Sequence, residues 1–351
     1  MNFLLYVCVL FVLAVNLNAK TIQDTDNKDV VVPDKVNRVF GSSPPMNYLI
    51  YAIDPAKMVG LNFEASNANN SASKDLLNKK FLSLPVIGSF HGGGKNINLE
   101  TLLKQKPDLV LVWQDDMVFA TVKNALNKTK LPTITIPFRK IEEMPSAIRF
   151  AAQAMNEPTR GEELSSYAAT IILHVKDSIK EAKPVRYYYA EGVDGLSTEC
   201  DSSFHIEALN FAGGKNVHKC QQSGLLGLEK INFETLLSYD PDVIIVQNGF
   251  TYHEVVSNPL WQNLRAVKNG NVHLIPNAPF NWVDRPPSFM RIIGIQWLAN
   301  IFHPQQYNID INKQIKEFYA LFLGVNLTDA QVKTILGTKK LPLEWAGCPK
   351  R

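Results

Sequence analysis

Two copies of one 17-residue pattern occur in the chain, and this repeat restricts the fold more than any other feature. Residues 97–113 align without gaps to residues 231–247, and nine of the 17 aligned pairs are identical. Each copy begins with an amphipathic segment, passes through a Pro-Asp pair and ends in an aliphatic run. Such a run is typical of a strand buried on both faces of a parallel sheet. The repeat therefore predicts two related lobes.

The segments around the repeat continue this alternation of strands and helices. Aliphatic runs bounded by turn residues predict strands, and strands that alternate with helices form open parallel sheets. The predicted strands are 38–41, 58–62, 109–113, 133–138, 186–190, 243–247 and 272–276. The fold class is thus α/β, with two Rossmann-like lobes that contain parallel sheets and are joined by one long bridging α-helix.

The bridging helix is predicted from residues 162–182, which carry apolar side chains at helical spacing and contain neither Gly nor Pro. Pro158 and Gly161 precede this segment and Pro184 follows it, as is common at helix boundaries. We expect a rigid connection between the lobes. The predicted domains are an N-terminal lobe (20–140), a helical region (141–183) and a C-terminal lobe (184–351) that includes helices at 286–301 and 311–323.

The first 19 residues carry no charged side chain, and Phe3 to Leu17 is almost entirely apolar. This stretch of about 15 residues is short for a membrane span, which needs about 20. It is typical of a cleavable signal peptide over residues 1–19, with an uncleaved anchor as the alternative. Cys8 lacks the small residue that precedes the cysteine of a lipoprotein signal, so no lipobox is present. We expect export out of the cytoplasm.

Three of the four cysteines lie outside the predicted signal peptide. Cys200 and Cys220 are close in sequence and flank a Gly-rich turn. In an oxidising compartment they predict a disulfide, with Cys348 left unpaired. Three unpaired thiols are the alternative.

The composition and the incomplete motifs exclude several functions. The chain has 36 basic and 33 acidic residues, a net charge of +3, which argues against a broad basic face for nucleic acid. The run 91–94 is similar to the oxyanion-hole segment of esterases, but no G-x-S-x-G nucleophile motif accompanies it. His253 and Glu254 begin like a zinc-protease helix that lacks its second His. We therefore predict no enzymatic activity.

The order of signal peptide, α/β lobe, single bridging helix and second α/β lobe resembles the class III solute-binding proteins of ABC importers. The resemblance rests on the element N-[LF]-E-x-L-L-x-x-x-P-D-[LV] in each lobe and extends over about residues 29–336. Fragments 49–62, 207–217 and 282–288 support it. The family comprises receptors for ferric siderophores, haem, vitamin B12, molybdate and chelated metals.

The resemblance implies that the partner is an ABC importer permease dimer at the membrane. In that family a surface Glu on each lobe pairs with an Arg of the permease, and Glu100 and Glu234 match this position. Two carboxylates on a rigid scaffold would set orientation and association rate. The alternative is that both are ordinary solvated helix residues. We expect a monomer with no nucleic-acid partner.

The resemblance also implies a ligand cleft between the lobes, formed by strand ends and the loops that follow them. Core packing is the alternative for Trp113 and Trp282, and local pairing with Asp284 is the alternative for Arg285. The implied ligand-binding residues are Ser43, Pro44, Pro45, His91 and Trp113 on the first lobe, and Tyr189, Glu191, the loop 199–205 with His205, Asn248, Phe280, Trp282 and Arg285 on the second.

Aromatic walls with few charged anchors suit a bulky, planar or chelated ligand. An anionic siderophore or an oxyanion would need several converging arginines. The candidate loops contain only Arg285, and Arg139 and Arg186 are further candidates for the cleft. His91 and His205 could complete the coordination sphere of a metal carried by a small chelator, and the alternative for each is an ordinary structural or surface histidine.

These features rank a metal chelate first, either an iron-siderophore or a nickel or cobalt complex, with cobalamin and molybdate behind it. We expect no intrinsic cofactor, because the metal would arrive only as part of the transported chelate. Two other classes stay open: a chelatase-like metal enzyme of the same architecture, and a secreted metallophore scavenger with no permease partner.

Overall fold

The computed structural model describes residues 19–23, 25, 28–64, 74–90, 97–114, 119–222 and 227–337. The predicted signal peptide up to residue 18, and with it Cys8, lies outside these ranges, as do His91 and Cys348. None of the described helices combines the length and the apolar character that are needed to cross a membrane.

The N-terminal lobe contains a three-stranded parallel sheet preceded by an antiparallel hairpin. The hairpin strands are β1 (Ala19–Gln23) and β2 (Asp29–Pro33), and the sheet strands, in spatial order, are β3 (Val39–Gly41), β4 (Leu109–Trp113) and β5 (Thr133–Ile136). The helices of this lobe are α1 (Pro44–Ile53), α2 (Lys79–Leu82), α3 (Leu99–Lys104) and α4 (Phe119–Asn127).

Two helices connect the lobes, α5 (Met144–Ala154) and the bridging helix α6 (Pro158–Ser178). The C-terminal lobe then adds the strands β6 (Val185–Ala190), β7 (Ser197–Thr198), β8 (Gly214–Asn216), β9 (Glu229–Lys230), β10 (Val243–Val246) and β11 (Val272–Leu274). Four of these form a parallel sheet in the order β11-β10-β6-β8, and β7 pairs with β9. Its helices are α7 (Glu207–Phe211), α8 (Phe233–Tyr239), α9 (Gly249–Ser257), α10 (Arg265–Lys268), α11 (Arg291–Phe302), α12 (Ile311–Leu323) and α13 (Asp329–Leu336).

The repeat predicted from the sequence forms α3 and β4 in the first lobe and α8 and β10 in the second. Both helices are capped in the same way, because the side-chain oxygens of Asn98 and Asn232 accept the backbone N–H of Thr101 and Thr235. Both strands are fully buried. The prediction of two related α/β lobes is confirmed.

The predicted bounds of the bridging helix, 162–182, were wrong at both ends. Pro158 begins the helix because a first-turn position needs no backbone N–H donor. Gly161 lies inside it, where a Cβ atom would come within 2.4 Å of the Ala152 Cβ of α5. The glycine therefore permits close packing of two helices and does not mark a boundary.

Two further predictions differ from the structure. Residues 58–62 form isolated bridges at Met58 and Leu61 beside the first sheet and no continuous strand. The helix predicted at 286–301 is α11, which begins at Arg291, since Pro286 and Pro287 lack the N–H groups that a helix interior requires. The helix predicted at 311–323 is α12, with the same bounds.

One hydrophobic core extends through both lobes and around the bridging helix. Trp282 lies in it, fully buried, with its indole N–H 3.2 Å from the hydroxyl of Tyr319 and its ring edge-on to Trp297. A Cβ on Gly294 would approach the Trp282 carbonyl oxygen to 2.0 Å, so the packing around this residue is tight. The assignment of Trp282 to the ligand cleft was wrong, since its whole side chain is used in core packing.

We predict that Trp282→Ala lowers the free energy of unfolding by about 3–5 kcal/mol, because it leaves a large cavity in this core. Urea denaturation followed by circular dichroism measures the change. The control is Leu173→Ala on the exposed face of α6, which should change stability by less than about 0.5 kcal/mol. A Trp282→Ala protein as stable as the control would contradict the core assignment.

Candidate functional site

A cavity of about 540 Å³ lies between the two lobes. The first lobe contributes residues that follow β4 and β5, and the second contributes the loop after β7 and the beginning of α7. Ligands of open α/β sheets bind beyond the carboxyl ends of the strands, so this cavity is the candidate ligand site. Its lining residues are Gln114, Pro137, Arg139, Lys140, Glu143, Asp201, Ser202, Ser203, Phe204, Glu207 and Asn210.

Phe204 forms an aromatic wall of the cavity. The ring of Trp113, at the end of β4, meets it edge-on with centroids 6.2 Å apart. The guanidinium of Arg139 lies over the same ring, 5.0 Å from its centroid. Because Trp113 and Arg139 belong to the first lobe and Phe204 to the second, these contacts connect the lobes across the cleft.

Behind this wall, Arg285 is held by two fully buried carboxylates. Its Nε lies 2.5 Å from Glu191 Oε1, and a terminal guanidinium nitrogen contacts Glu199 Oε1. The hydroxyl of Ser203, which lines the cavity, donates to Glu199 Oε2 at 2.7 Å. The pairing with Asp284 considered from the sequence is a longer contact of 3.9 Å. We call Glu191, Glu199, Asp284, Arg285 and His205 the buried charge cluster.

His205 is oriented by Asp284 within this cluster. The Nδ1 atom lies 2.5 Å from Asp284 Oδ2, and the imidazole ring packs 3.9 Å from the Phe204 ring. A carboxylate on one imidazole nitrogen fixes the ring and directs the other nitrogen, as in many metal-binding histidines. Among the described residues, neither His205 Nε2 nor the hydroxyl of the neighbouring Tyr189 has a hydrogen-bond partner.

Burial raises the pKa of Glu191 to about 8, since removal of the carboxylate from water outweighs its attraction to Arg285. The negative charge of Glu199 raises this pKa further. Glu191 is therefore mostly protonated at neutral pH. Arg285 thus contacts one mostly neutral carboxyl group, that of Glu191, and a second carboxyl group, that of Glu199.

Cys200 and Cys220 are joined by a disulfide with their Cα atoms 5.0 Å apart. Nearby, the side chain of Asn216 donates to the Glu199 carbonyl at 2.7 Å. Both contacts fasten the loop that carries Glu199 to the segment around β8. His218 lies close to both sulfur atoms, but sulfurs bonded to each other are not thiolate ligands for a metal.

On the first lobe, Ser43, Pro44 and Pro45 are buried where β3 ends and α1 begins. The backbone N–H of Phe90 donates to the Ser42 carbonyl at 3.1 Å, which places the residue before His91 at this same edge of the sheet. The prediction that His91 binds ligand or metal falls outside the described residues.

Other predicted residues lie at the strand ends without lining the cavity. Phe280 stacks on Tyr48 of α1 with centroids 3.9 Å apart, so it joins the second lobe to the first. Asn248 follows β10 and caps α9 by accepting the N–H of Thr251 at 3.1 Å. Arg186 donates to the carbonyls of Tyr239 and Asp240, which precede β10, and so lies at the opposite edge of the sheet.

Glu100 and Glu234 are exposed in the first turns of the two repeated helices. Glu100 forms an exposed ion pair with Lys104 at 2.8 Å, a type of pair that contributes little to stability. Leu103 and Leu237, three residues after each Glu, are exposed as well. Both helices thus present one carboxylate and one leucine to solvent.

Sequence reasoning missed most of the first-lobe lining of the cavity. The predicted strand 133–138 was two residues too long, so Pro137 was assigned to the strand and Lys140 was not considered as part of the cleft. The rule that ligands meet the loops after parallel strands would have found both with correct bounds. On the second lobe, the loop 199–205 was named, but Glu207 and Asn210 of α7 were not.

A family model described as "Periplasmic binding protein" matches residues 64–279. An ABC transporter solute-binding protein from Sulfurospirillum deleyianum has a similar structure, with a TM-score of 0.86, 38% identity and coverage of 90% of this chain and 99% of that one.

One more distant relative and one further solved structure are named for different ligands. The molybdate-binding protein MolA of Haemophilus influenzae is 25% identical over 91% of this chain and 95% of its own. Helicobacter pylori CeuE, whose structure was determined with a nickel–histidine complex, is 16% identical with a TM-score of 0.66, covering 91% of this chain and 99% of its own. At that identity the second likeness concerns the fold alone.

We predict that the free energy of unfolding falls as the pH rises from about 5 to 8. The folded-state pKa of Glu191 lies above its ordinary value of 4.5, so the folded protein binds more protons than the unfolded chain in this window and loses that stabilisation as the proton leaves. Urea titrations at several pH values measure the slope.

Glu191→Gln should flatten this dependence, because glutamine does not titrate. The matched control is Glu142→Gln. Its carboxylate is exposed, and a hydrogen bond from Lys176 lowers its pKa, so the control should retain the wild-type slope. An equal slope in wild type and Glu191→Gln would refute the raised pKa.

Proposed function

The chain belongs to the family of periplasmic binding proteins that serve ABC transporters, and from this premise we propose that it captures a metal chelate between its two lobes and delivers it to a membrane permease. The observation that carries the proposal is the cavity of about 540 Å³ lined by both lobes. Its volume lies within the range of small-molecule sites. Phe204 and Arg139 give it an aromatic and cationic wall on which a planar chelator can stack, and the buried Trp113 supports the Phe204 ring.

The choice of a metal chelate within the family rests on His205, a buried residue that packs against Phe204 of the cavity lining. The imidazole of His205 is oriented by Asp284, and neutral imidazole nitrogen suits nickel, cobalt and iron. Relatives named for molybdate, ferric citrate and haem, and one structure named for vitamin B12, keep cobalamin and molybdate as alternatives. A chelatase-like enzyme is the alternative from another class, but the relatives are transport proteins.

Delivery requires a docking surface, and we assign it to the exposed ends of α3 and α8. Glu100 and Glu234 occupy equivalent positions of the repeat, each fixed by an Asn cap in the first turn of its helix. Basic residues on a permease dimer would meet both carboxylates at a separation set by the rigid scaffold. The neighbouring Leu103 and Leu237 would extend each contact with apolar surface.

Export completes the proposal. The apolar segment up to residue 19 acts as a cleavable signal, and the mature protein works in the periplasm as a monomer. An oxidising compartment is also where the disulfide between Cys200 and Cys220 would persist.

The binding function is tested by purifying the protein from its native host and measuring metal content, the visible spectrum and tryptophan quenching with candidate chelates. We expect the metal to copurify with a small organic chelator. Protein that carries no metal and shows no quenching with any chelate would contradict chelate capture.

Reversing both docking charges, Glu100→Lys with Glu234→Lys, should abolish uptake of the ligand by cells and leave its affinity for the purified protein unchanged. Uptake of radiolabelled metal and calorimetric titration measure the two quantities. The control is Glu181→Lys, an exposed reversal near the far end of the bridging helix, which should leave both unchanged. Lost affinity in the double variant would refute a docking role.

Ligand binding should produce little closure of the lobes. The bridging helix and the buried Arg291, which bonds to the Phe138 and Arg139 carbonyls of the first lobe, restrict hinge motion. We expect almost equal radii of gyration by small-angle X-ray scattering with and without ligand. A large compaction on binding would contradict this mechanism.

A further inference from the structure

We propose that the cleft selects a ligand with no net negative charge, that is, a neutral or cationic metal complex in preference to an oxyanion or a polyanionic chelate. The proposal rests on the proposed function of the cleft as the ligand site. It follows from the partners that the charged side chains and backbone N–H groups of the described residues already have.

The arginine behind the cavity wall is already neutralised. Arg285 contacts the carboxyl groups of Glu191 and Glu199, both fully buried, and the buried Asp284 lies 3.9 Å from its Nε. Glu191 is mostly protonated at neutral pH, so an anionic ligand would have to compete with the carboxylates of Glu199 and Asp284, which are already desolvated beside the guanidinium. The buried charge cluster contains three carboxyl groups against one guanidinium and one imidazole, so it does not offer an anion an excess of positive charge.

The helix that begins at the cleft edge of the first lobe offers no free backbone donors to an anion. The N-terminus of a helix commonly binds phosphate or carboxylate through its first N–H groups. In α1 these positions are Pro44 and Pro45, which have no N–H. The next two donors, of Met46 and Asn47, bond to the Ser43 carbonyl at 3.1 and 3.0 Å.

The charges that line the cavity balance. Arg139 and Lys140 are opposed by Glu143 and Asp201, and Glu207 is compensated by the buried Arg291 at 2.9 Å. Enclosing an uncompensated negative charge would be unfavourable in this setting. A neutral complex incurs no such cost, and a cationic complex is attracted by the carboxylates behind the wall.

The test uses four probes on untagged protein: the neutral bis-histidine complex of Ni²⁺, free Ni²⁺, molybdate and ferric citrate. Calorimetry gives the affinities. The chain has five tryptophans, so the part of the fluorescence quenching that a Trp113→Phe variant loses reports binding in the cleft. We expect the neutral complex or the cation to bind at least about tenfold more tightly than either anion. Tighter binding of an anion overturns the proposal, and so does binding of none of the neutral and cationic probes.

Charge-altering variants supply a second measurement. The double variant Glu191→Gln with Glu199→Gln removes both carboxyl groups that contact Arg285 directly and leaves only the longer contact to Asp284. It should reduce the preference for neutral over anionic probes by about tenfold. Asp201→Asn changes an exposed residue of the cavity lining and does not disturb the buried charge cluster. It should reduce the preference for neutral over anionic probes by roughly threefold. Asp177→Asn, exposed on α6 outside the cavity, is the control and should change nothing. An unchanged preference in folded Asp201→Asn contradicts the proposal.

The outcomes separate this inference from the proposed function. Tight binding of molybdate or ferric citrate that quenches Trp113 would refute the charge selection and leave capture in the cleft intact. Failure of all four probes would count against the charge selection and against the metal-chelate assignment, while the docking role of Glu100 and Glu234 is decided separately by uptake.

Discussion

The buried guanidinium of Arg291 holds the two lobes in the arrangement on which the cavity depends. It extends from the first turn of α11 in the second lobe and donates to the Phe138 and Arg139 carbonyls of the first, at 2.9 and 2.8 Å. Its third partner is Glu207, whose other carboxylate oxygen accepts the Ile141 N–H at 2.7 Å. A buried charge is tolerated only with such partners, so separating the lobes at this point would be strongly unfavourable.

Pairing of an arginine with buried carboxyl groups also orders the structure behind the Phe204 wall of the cavity. Arg285 is enclosed by Glu191 and Glu199, and the loop of Glu199 is held further by the disulfide of Cys200 with Cys220. A wall that is already ordered does not lose side-chain entropy when a ligand arrives. Because Arg285 is bound to Glu191 and Glu199, it is not available to the ligand. The contacts that make the wall rigid would therefore also set the preference for the charge of the ligand.

The elements predicted correctly from the sequence are those that a local pattern determines. The predicted strands 109–113 and 243–247 begin with continuous aliphatic runs at 109–112 and 243–246, and such runs are typical of buried strands. The second strand ends one residue earlier than predicted, at Val246. The bridging helix was located but displaced, because the meaning of Gly161 depends on its contact with Ala152 of another helix. The hairpin of β1 and β2 was missed because its longest aliphatic run, Val30 to Val32, has only three residues.

Site residues were harder to predict than strands because a side chain's direction is set by tertiary packing. Trp282 and Phe204 are both aromatic residues in loops, yet the first faces Tyr319 in the core and the second faces the cavity. Arg285 was identified, but the sequence gives no sign that two distant glutamates neutralise it. Its electrostatic role depends on the tertiary structure, because β6, β7 and the loop after β11 are distant in sequence and adjacent in the fold.

The repeat explains how one scaffold could serve both capture and delivery. In each copy an Asn cap fixes the helix start, the following Glu is exposed, and the chain then enters the central region of a sheet whose carboxyl edge borders the cleft. The carboxylate and the cleft wall of each lobe are therefore parts of one rigid unit. Because Arg291 and the bridging helix fix the relation between the units, any force that a docked partner applied to the two carboxylates would act directly on the cleft between them.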